Sequence, residues 1–303
     1  MRKLVLKDVV PVALMGGIFV LVDVLALLLV TPFQALGVTV FENPNDPADL
    51  LFFFVTFIAF TAIILLLAKY SERVVRGIVL GSTGYLVFFM LYPLLGFVLP
   101  DLAALIVSLA VSGILLVLLI KHPEWYVIDV CGVLIGLGAI TLLGISLNIF
   151  LVIILLVGLA VYDAISVYRT KHMITLADVV VDLKLPVVLV IPKIRGYSLV
   201  KDKKRLKEKL EEGGEREAFL MGLGDIVMPG ILVTSVFTNV AINGLLIALC
   251  VMIGTMGGFV TLMFFVLKGK PQAGLPLLCT GAILGYLISS LILFGRPVGL
   301  VPT

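Results

Sequence analysis

Apolar residues run along this chain in blocks of about twenty, the length a helix needs to cross the hydrocarbon core of a bilayer. Charged and turn-forming residues separate the blocks. Nine of them qualify: 9–31, 50–68, 77–99, 102–120, 126–143, 147–168, 218–238, 241–267 and 273–294. Pro100-Asp101 divides the third from the fourth, and the stretch from Gly144 to Asn148 divides the fifth from the sixth. The pattern predicts an all-α polytopic membrane protein with nine transmembrane helices. The first block follows Arg2, Lys3 and Lys7, as in a signal peptide. Its apolar run of about 23 residues is too long for a signal-peptide core, and no clear small-residue cleavage site follows, so it reads as a retained first span.

Composition points the same way. Of 303 residues, 61% are hydrophobic and 14% are charged, whereas a soluble domain carries about 25% charged residues. Mean hydropathy is +1.25. The net charge of +3 is small, and its distribution is more informative. Lysine and arginine fall in the N-terminal tail, in the second-to-third loop (Lys69, Arg73, Arg76), at Lys121, between Arg169 and Arg216, and at Lys268 and Lys270. With nine spans all of these lie on one face, and only Arg296 of the 22 basic residues lies on the other. The positive-inside rule then places the N-terminus in the cytoplasm and the C-terminus outside the cell membrane. Segment 32–49, with Glu42, Asp46 and Asp49 but no basic residue, becomes extracytoplasmic.

The chain divides into a six-helix part, residues 1–169, a basic cytoplasmic loop, 170–216, and a three-helix part, 217–303. Within the loop, DVVVDLKLPVVLVIPKIR (178–195) is rich in β-branched residues and predicts short strands. Pro186 and Pro192 argue for edge positions. The charged run that follows, KDKKRLKEKLEEGGERE, reads either as a solvated connector or as an amphipathic helix on anionic lipid. The loop has no apolar plug, so autoproteolytic maturation is not expected.

Two acids stand out inside the apolar blocks. Asp163 lies six residues before Arg169, and Asp225 nine residues after Arg216. At 1.5 Å per residue, both sit about 10 Å below the cytoplasmic boundary, on consecutive antiparallel spans. A carboxylate at membrane depth is costly and marks function by default. Two carboxylates brought together share a proton, which suits general acid–base hydrolysis by an activated water. The alternative is a proton- or ion-coupled transporter or channel using the same acids as a relay, although the chain shows no convincing inverted repeat. Asp23, in the first span, reads as a structural polar residue. Cys131, Cys250 and Cys279 lie in apolar runs without metal-ligand spacing, and the chain has only His122 and His172. Neither a zinc site nor a disulfide framework is supported, and no cofactor is expected.

The surroundings of these acids carry a family resemblance. Tyr162-Asp163 resembles the YD motif of the presenilin and signal peptide peptidase superfamily of intramembrane aspartyl proteases. Gly222-Leu223-Gly224-Asp225 resembles their GxGD motif, and GLGDIVMPG is close to the signal peptide peptidase form. Ala273-Gly274-Leu275-Pro276 looks like their third motif, PALP, with Ala273 in place of proline and Gly274 in place of alanine. The resemblance extends over all nine spans and is that of a prokaryotic, archaeal member. The orientation read from charge is that of presenilins. The prepilin peptidases also carry GxGD, but usually with a lysine two residues on, where this chain has Ile226-Val227. The resemblance implies Asp163 and Asp225 as the catalytic pair. Tyr162, Gly222, Leu223, Gly224, Ala273, Gly274, Leu275 and Pro276 are then expected to line the site. The implied partners are transmembrane-helix protein or peptide substrates and membrane lipid, with neither nucleic acid nor an obligate partner subunit.

Overall fold

The computed structural model of the chain describes residues 6–41, 46–70, 72–170, 186–193, 197–198, 218–268 and 272–300. Nine α-helices are present among them: α1 (Leu6–Ala35), α2 (Pro47–Tyr70), α3 (Glu72–Gly96), α4 (Asp101–Lys121), α5 (Trp125–Ser146), α6 (Ile149–Ile165), α7 (Leu223–Asn239), α8 (Gly244–Leu267) and α9 (Gly274–Phe294). A π-helical turn, Ser166–Thr170, extends α6. Seven of these helices are long and apolar enough to cross a membrane by length and composition. The chain is a mostly helical, multi-pass membrane protein.

The helix boundaries have local causes. Asp101 opens α4 just after Pro100. The Asn148 side chain caps α6 by accepting from the Leu151 N–H at 2.8 Å, which satisfies one of the free donors of the first turn. Where α5 turns into α6, the Leu147 carbonyl accepts from the Ser235 hydroxyl at 2.8 Å, so the far end of α7 is tied to that turn.

One helix departs from the expected blocks. The seventh was expected from residue 218, but Ala218–Gly222 is a strand, β2, and α7 begins at Leu223 with 17 residues. Its partner is β1, Val188–Pro192, inside the segment where short strands were expected. The two pair antiparallel, with Val188 opposite Gly222, Val190 opposite Leu220 and Pro192 opposite Ala218. Both faces of this ribbon are covered. Leu189, Ile191, Phe219 and Met221 join the main core, while Val190 and Ala218 pack with Val127, Ile128 and Cys131. A strand buried on both faces loses the period-two polarity that would distinguish it from helix. That is why AFLMG reads as the start of a span. Pro192, which has no N–H, ends β1. The charged run 201–217 lies outside the described residues.

Two helix contacts position the rest. α5 lays one face along the ribbon and α7. A side chain at Gly132 would meet the Pro186 carbonyl at 3.4 Å, and one at Gly136 would meet Leu223 and Val227 at 3.1 and 3.2 Å. α8 and α9 approach backbone to backbone. A methyl on Gly254 would lie 2.2 Å from the Gly281 carbonyl oxygen, and one on Gly258 would lie 2.4 Å from that of Leu277. Small residues permit such close contact in a bilayer, where dispersion rather than the hydrophobic effect drives helix association. The second of these contacts clamps the first turn of α9.

Candidate active site

Three helix ends converge at the cluster that holds the two acids: the C-terminal part of α6, the first turn of α7 and the first turn of α9. Asp163 lies two residues before the end of α6 and is buried at 9% exposure. Its Oδ2 accepts from the Leu275 N–H at 3.2 Å, and the Gly274 N–H lies on the same carboxylate. Gly274 and Leu275 open α9, where backbone N–H groups have no intrahelical partner. A carboxylate at a helix N-terminus meets free donors and the positive end of the helix dipole.

Asp225 stands in the first turn of α7, three residues after Gly222, which precedes the helix. It is partly exposed. Its carboxylate also lies against Gly274: a methyl on Gly274 would lie 3.0 Å from both Oδ1 and Oδ2. The two carboxylates therefore face the same glycine–leucine dipeptide, and they interact electrostatically. Cys279, one turn into α9 and 1% exposed, lies in the field of both. Burial at that spot marks Cys279 as packing, consistent with its apolar sequence context.

The motif residues take different places. Leu223 is buried at 8% exposure in the hollow left by Gly136 of α5. Gly222 lies against Asp225, with its missing methyl 3.7 Å from Oδ2. Gly224 is exposed, and a methyl there would meet nothing within 4 Å. Ala273 is buried, Leu275 and Pro276 are partly buried, and Pro276 sits in the first turn of α9, where its missing N–H leaves no helical bond unmade. Tyr162, beside Asp163 on α6, is 69% exposed.

Two features are not evident from the motifs. The Tyr168 hydroxyl donates to Gln272 Oε1, joining the end of the α6 extension to the residue before Ala273. Asp23 of α1, 3% exposed, packs on α7 at Gly230, where a methyl would lie 2.8 Å from its Oδ1. That oxygen has no hydrogen-bond partner among the described residues. Asp23 is thus apart from the pair, five residues further along α7. No group of three or more His, Cys, Asp or Glu side chains suited to a metal occurs among the described residues.

The chain is similar to solved structures and to curated proteins. A solved presenilin-family intramembrane aspartate protease in space group C222 shares 35% identity and a TM-score of 0.71, covering 93% of this chain and 99% of that one. A second such structure, in space group P2, gives 35% identity and a TM-score of 0.66, covering 92% and 96%. The signal peptide peptidases of Mus musculus and Homo sapiens are each 32% identical over 129 residues, which is 42% of this chain. The matched stretch spans only 29% of the length of either relative. The family profile described as signal-peptide peptidase, presenilin aspartyl protease matches residues 16–295, nearly the whole described helical body, and the chain belongs to that family.

Proposed function

We propose that the chain is an intramembrane aspartyl endopeptidase that hydrolyses peptide bonds within transmembrane helices of membrane-protein substrates. The observation that carries this reading is the convergence of Asp163 and Asp225 on Gly274-Leu275. Membership of an aspartyl protease family supports it over an ion or proton relay.

The chemistry needs one proton shared by the pair. The N–H donors of α9 facing Asp163 support it as the ionised partner, because a charged acceptor makes the stronger bond. Asp163 takes a proton from a water as that water attacks the scissile carbonyl carbon. Asp225 gives its proton to the carbonyl oxygen, forming a tetrahedral diol. The proton on Asp163 then passes to the amide nitrogen, the C–N bond breaks, and a diol hydroxyl returns its proton to Asp225. The cycle ends with the original protonation.

A helical substrate hides its peptide bonds in its own hydrogen bonds, so cleavage requires local extension. The β1–β2 ribbon offers a template, since an extended peptide can add to a strand edge. β2 runs directly into Gly222 and Asp225. Its outer edge would deliver an added strand to the carboxylates. In the nine-span arrangement with a cytoplasmic N-terminus, the site lies toward the cytoplasmic side, and a single polypeptide suffices.

Purified chain in detergent or liposomes, given a single-span substrate, should produce fragments whose new termini map inside the span by mass spectrometry. Uncleaved substrate at every pH tested would sink the reading. Activity against pH should be bell-shaped, since both the fully protonated and the fully ionised pair lack one of the two roles. A rate that climbs steadily into strong alkali would contradict a shared proton. The open space at Gly224 gives a further expectation. Gly224→Leu should leave the fold intact and lower kcat/KM by about tenfold through obstruction of the approach to Asp225. Unchanged kcat/KM would show that substrate does not pass that face.

A further inference from the structure

Asp129 is a carboxylate that the hydrolytic chemistry leaves unused. It lies in the second turn of α5 and is 9% exposed. Its Oδ1 accepts from the Val190 N–H of β1 at 2.8 Å. Val190 stands opposite Leu220 in the ladder. An N–H that points to Asp129 points away from β2, so this pair is of the non-hydrogen-bonded kind and the pairs on either side carry the ladder bonds. The next residue of β1 on the same outer edge is Pro192, which has no N–H. The outer edge of β1 is therefore closed at its centre by a carboxylate and at its end by a proline.

The start of α5 holds this segment at a second point. The Ser198 hydroxyl donates to Glu124 Oε1 at 2.7 Å, directly before α5 begins. The same α5 face continues with Gly132 and Gly136, which receive Pro186, Leu189 and Leu223. Beyond the ladder itself, the Leu223 N–H donates to the Val187 carbonyl at 2.9 Å. A displacement of β1 thus carries directly to the first residue of α7, two residues before Asp225.

We propose that Asp129 is a positioning residue: by clamping the outer edge of β1 to α5, it holds the ribbon in register with the two catalytic carboxylates and leaves β2, whose outer edge pairs with no strand among the described residues, as the edge offered to an extended peptide. The inference rests on the proteolytic reading for its substrate readout, but not for its structural one. The substitution Asp129→Asn keeps the accepting oxygen, whereas Asp129→Leu, of similar size, leaves the Val190 N–H buried and unpaired.

The test compares wild type, Asp129→Asn and Asp129→Leu as full-length protein in detergent. Amide hydrogen exchange is followed by mass spectrometry over peptides spanning 187–192 and 218–223. Cleavage of a single-span peptide is followed by kinetics and product mass. Asp129→Leu is expected to exchange faster in both strands, to raise KM by about tenfold, and to scatter cleavage over neighbouring bonds. Asp129→Asn should restore exchange, KM and the product pattern. The proposal is overturned if Asp129→Leu keeps wild-type strand protection. It is equally overturned if turnover falls with KM and cleavage positions unmoved, which is the signature of general destabilisation, or if Asp129→Asn is as impaired as Asp129→Leu. A wild-type chain that cleaves nothing would instead refute the proteolytic reading, and the exchange data would then decide the clamp alone.

Discussion

Asp163→Asn and Asp225→Asn are each expected to reduce cleavage of a single-span substrate by at least about 10³-fold. Asparagine keeps the size of the side chain but neither ionises nor carries the transferable proton. In Asp163→Asn the Oδ1 of the amide still accepts from the Leu275 N–H, so the link between α6 and α9 survives while the base is lost. In Asp225→Asn the amide still fits beside Gly274, but it cannot protonate the carbonyl oxygen. Because the two carboxylates act as one unit, the double variant should be no worse than either single one. Substantial activity in either single variant would end the two-aspartate mechanism, and multiplicative losses in the double variant would mean that the residues work separately. Asp23→Asn is the matched control. It removes a buried carboxylate from the same bundle, packed against Gly230 rather than Gly274, and so should leave the pH dependence of cleavage unaltered.

The helices were largely legible because a bilayer imposes one demand on sequence, an uninterrupted apolar run, and the breaks at Pro100-Asp101 and at Asn148 have direct structural causes. The strand β2 was not legible. It is apolar on both faces, since Phe219 and Met221 turn into the main core while Ala218 packs with α5, and nothing in AFLMG signals a turn before Leu223. The two acids stood out because charge is rare at that depth. Asp129 is as buried as Asp163 and lies eight residues after Lys121, a similar depth by the same count, yet no family motif adjoins it. Its role depends on a hydrogen bond to a residue 61 positions away, and no local pattern encodes such a contact. The motifs, in turn, mark residues without saying which way they point. Tyr162 adjoins Asp163 in sequence, but one residue is about 100° of helix, and Tyr162 is exposed where Asp163 is buried.

Gly274→Val is expected to lower kcat by about 10²-fold with the protein still folded, since misplacing a reacting group by about 1 Å is enough for a loss of that size. The missing side chain of Gly274 is the space that the Asp225 carboxylate occupies: a β-carbon there would stand 3.0 Å from both of its oxygens and 3.1 Å from Cγ. That is tighter than ordinary contact, so a single methyl requires the carboxylate to retreat by a few tenths of an ångström. The PALP motif that this segment resembles has alanine at the position, so Gly274→Ala is the graded case, with a loss within about tenfold. Valine adds two γ-carbons at the same place and turns a small retreat into a displaced acid. The N–H of residue 274 and that of Leu275 remain in either variant, so Asp163 keeps its donors and the start of α9 keeps its anion. The loss should therefore appear in kcat rather than in KM, because the disturbed contact is between α9 and Asp225 rather than with the bound helix. Thermal unfolding of each variant in detergent separates this from collapse of the α8–α9 pair, whose close approach at Gly254 and Gly281 lies further along the helix. Wild-type turnover in Gly274→Val would mean that Asp225 works from a position other than the one against Gly274, and the geometry assigned to the pair would have to be redrawn.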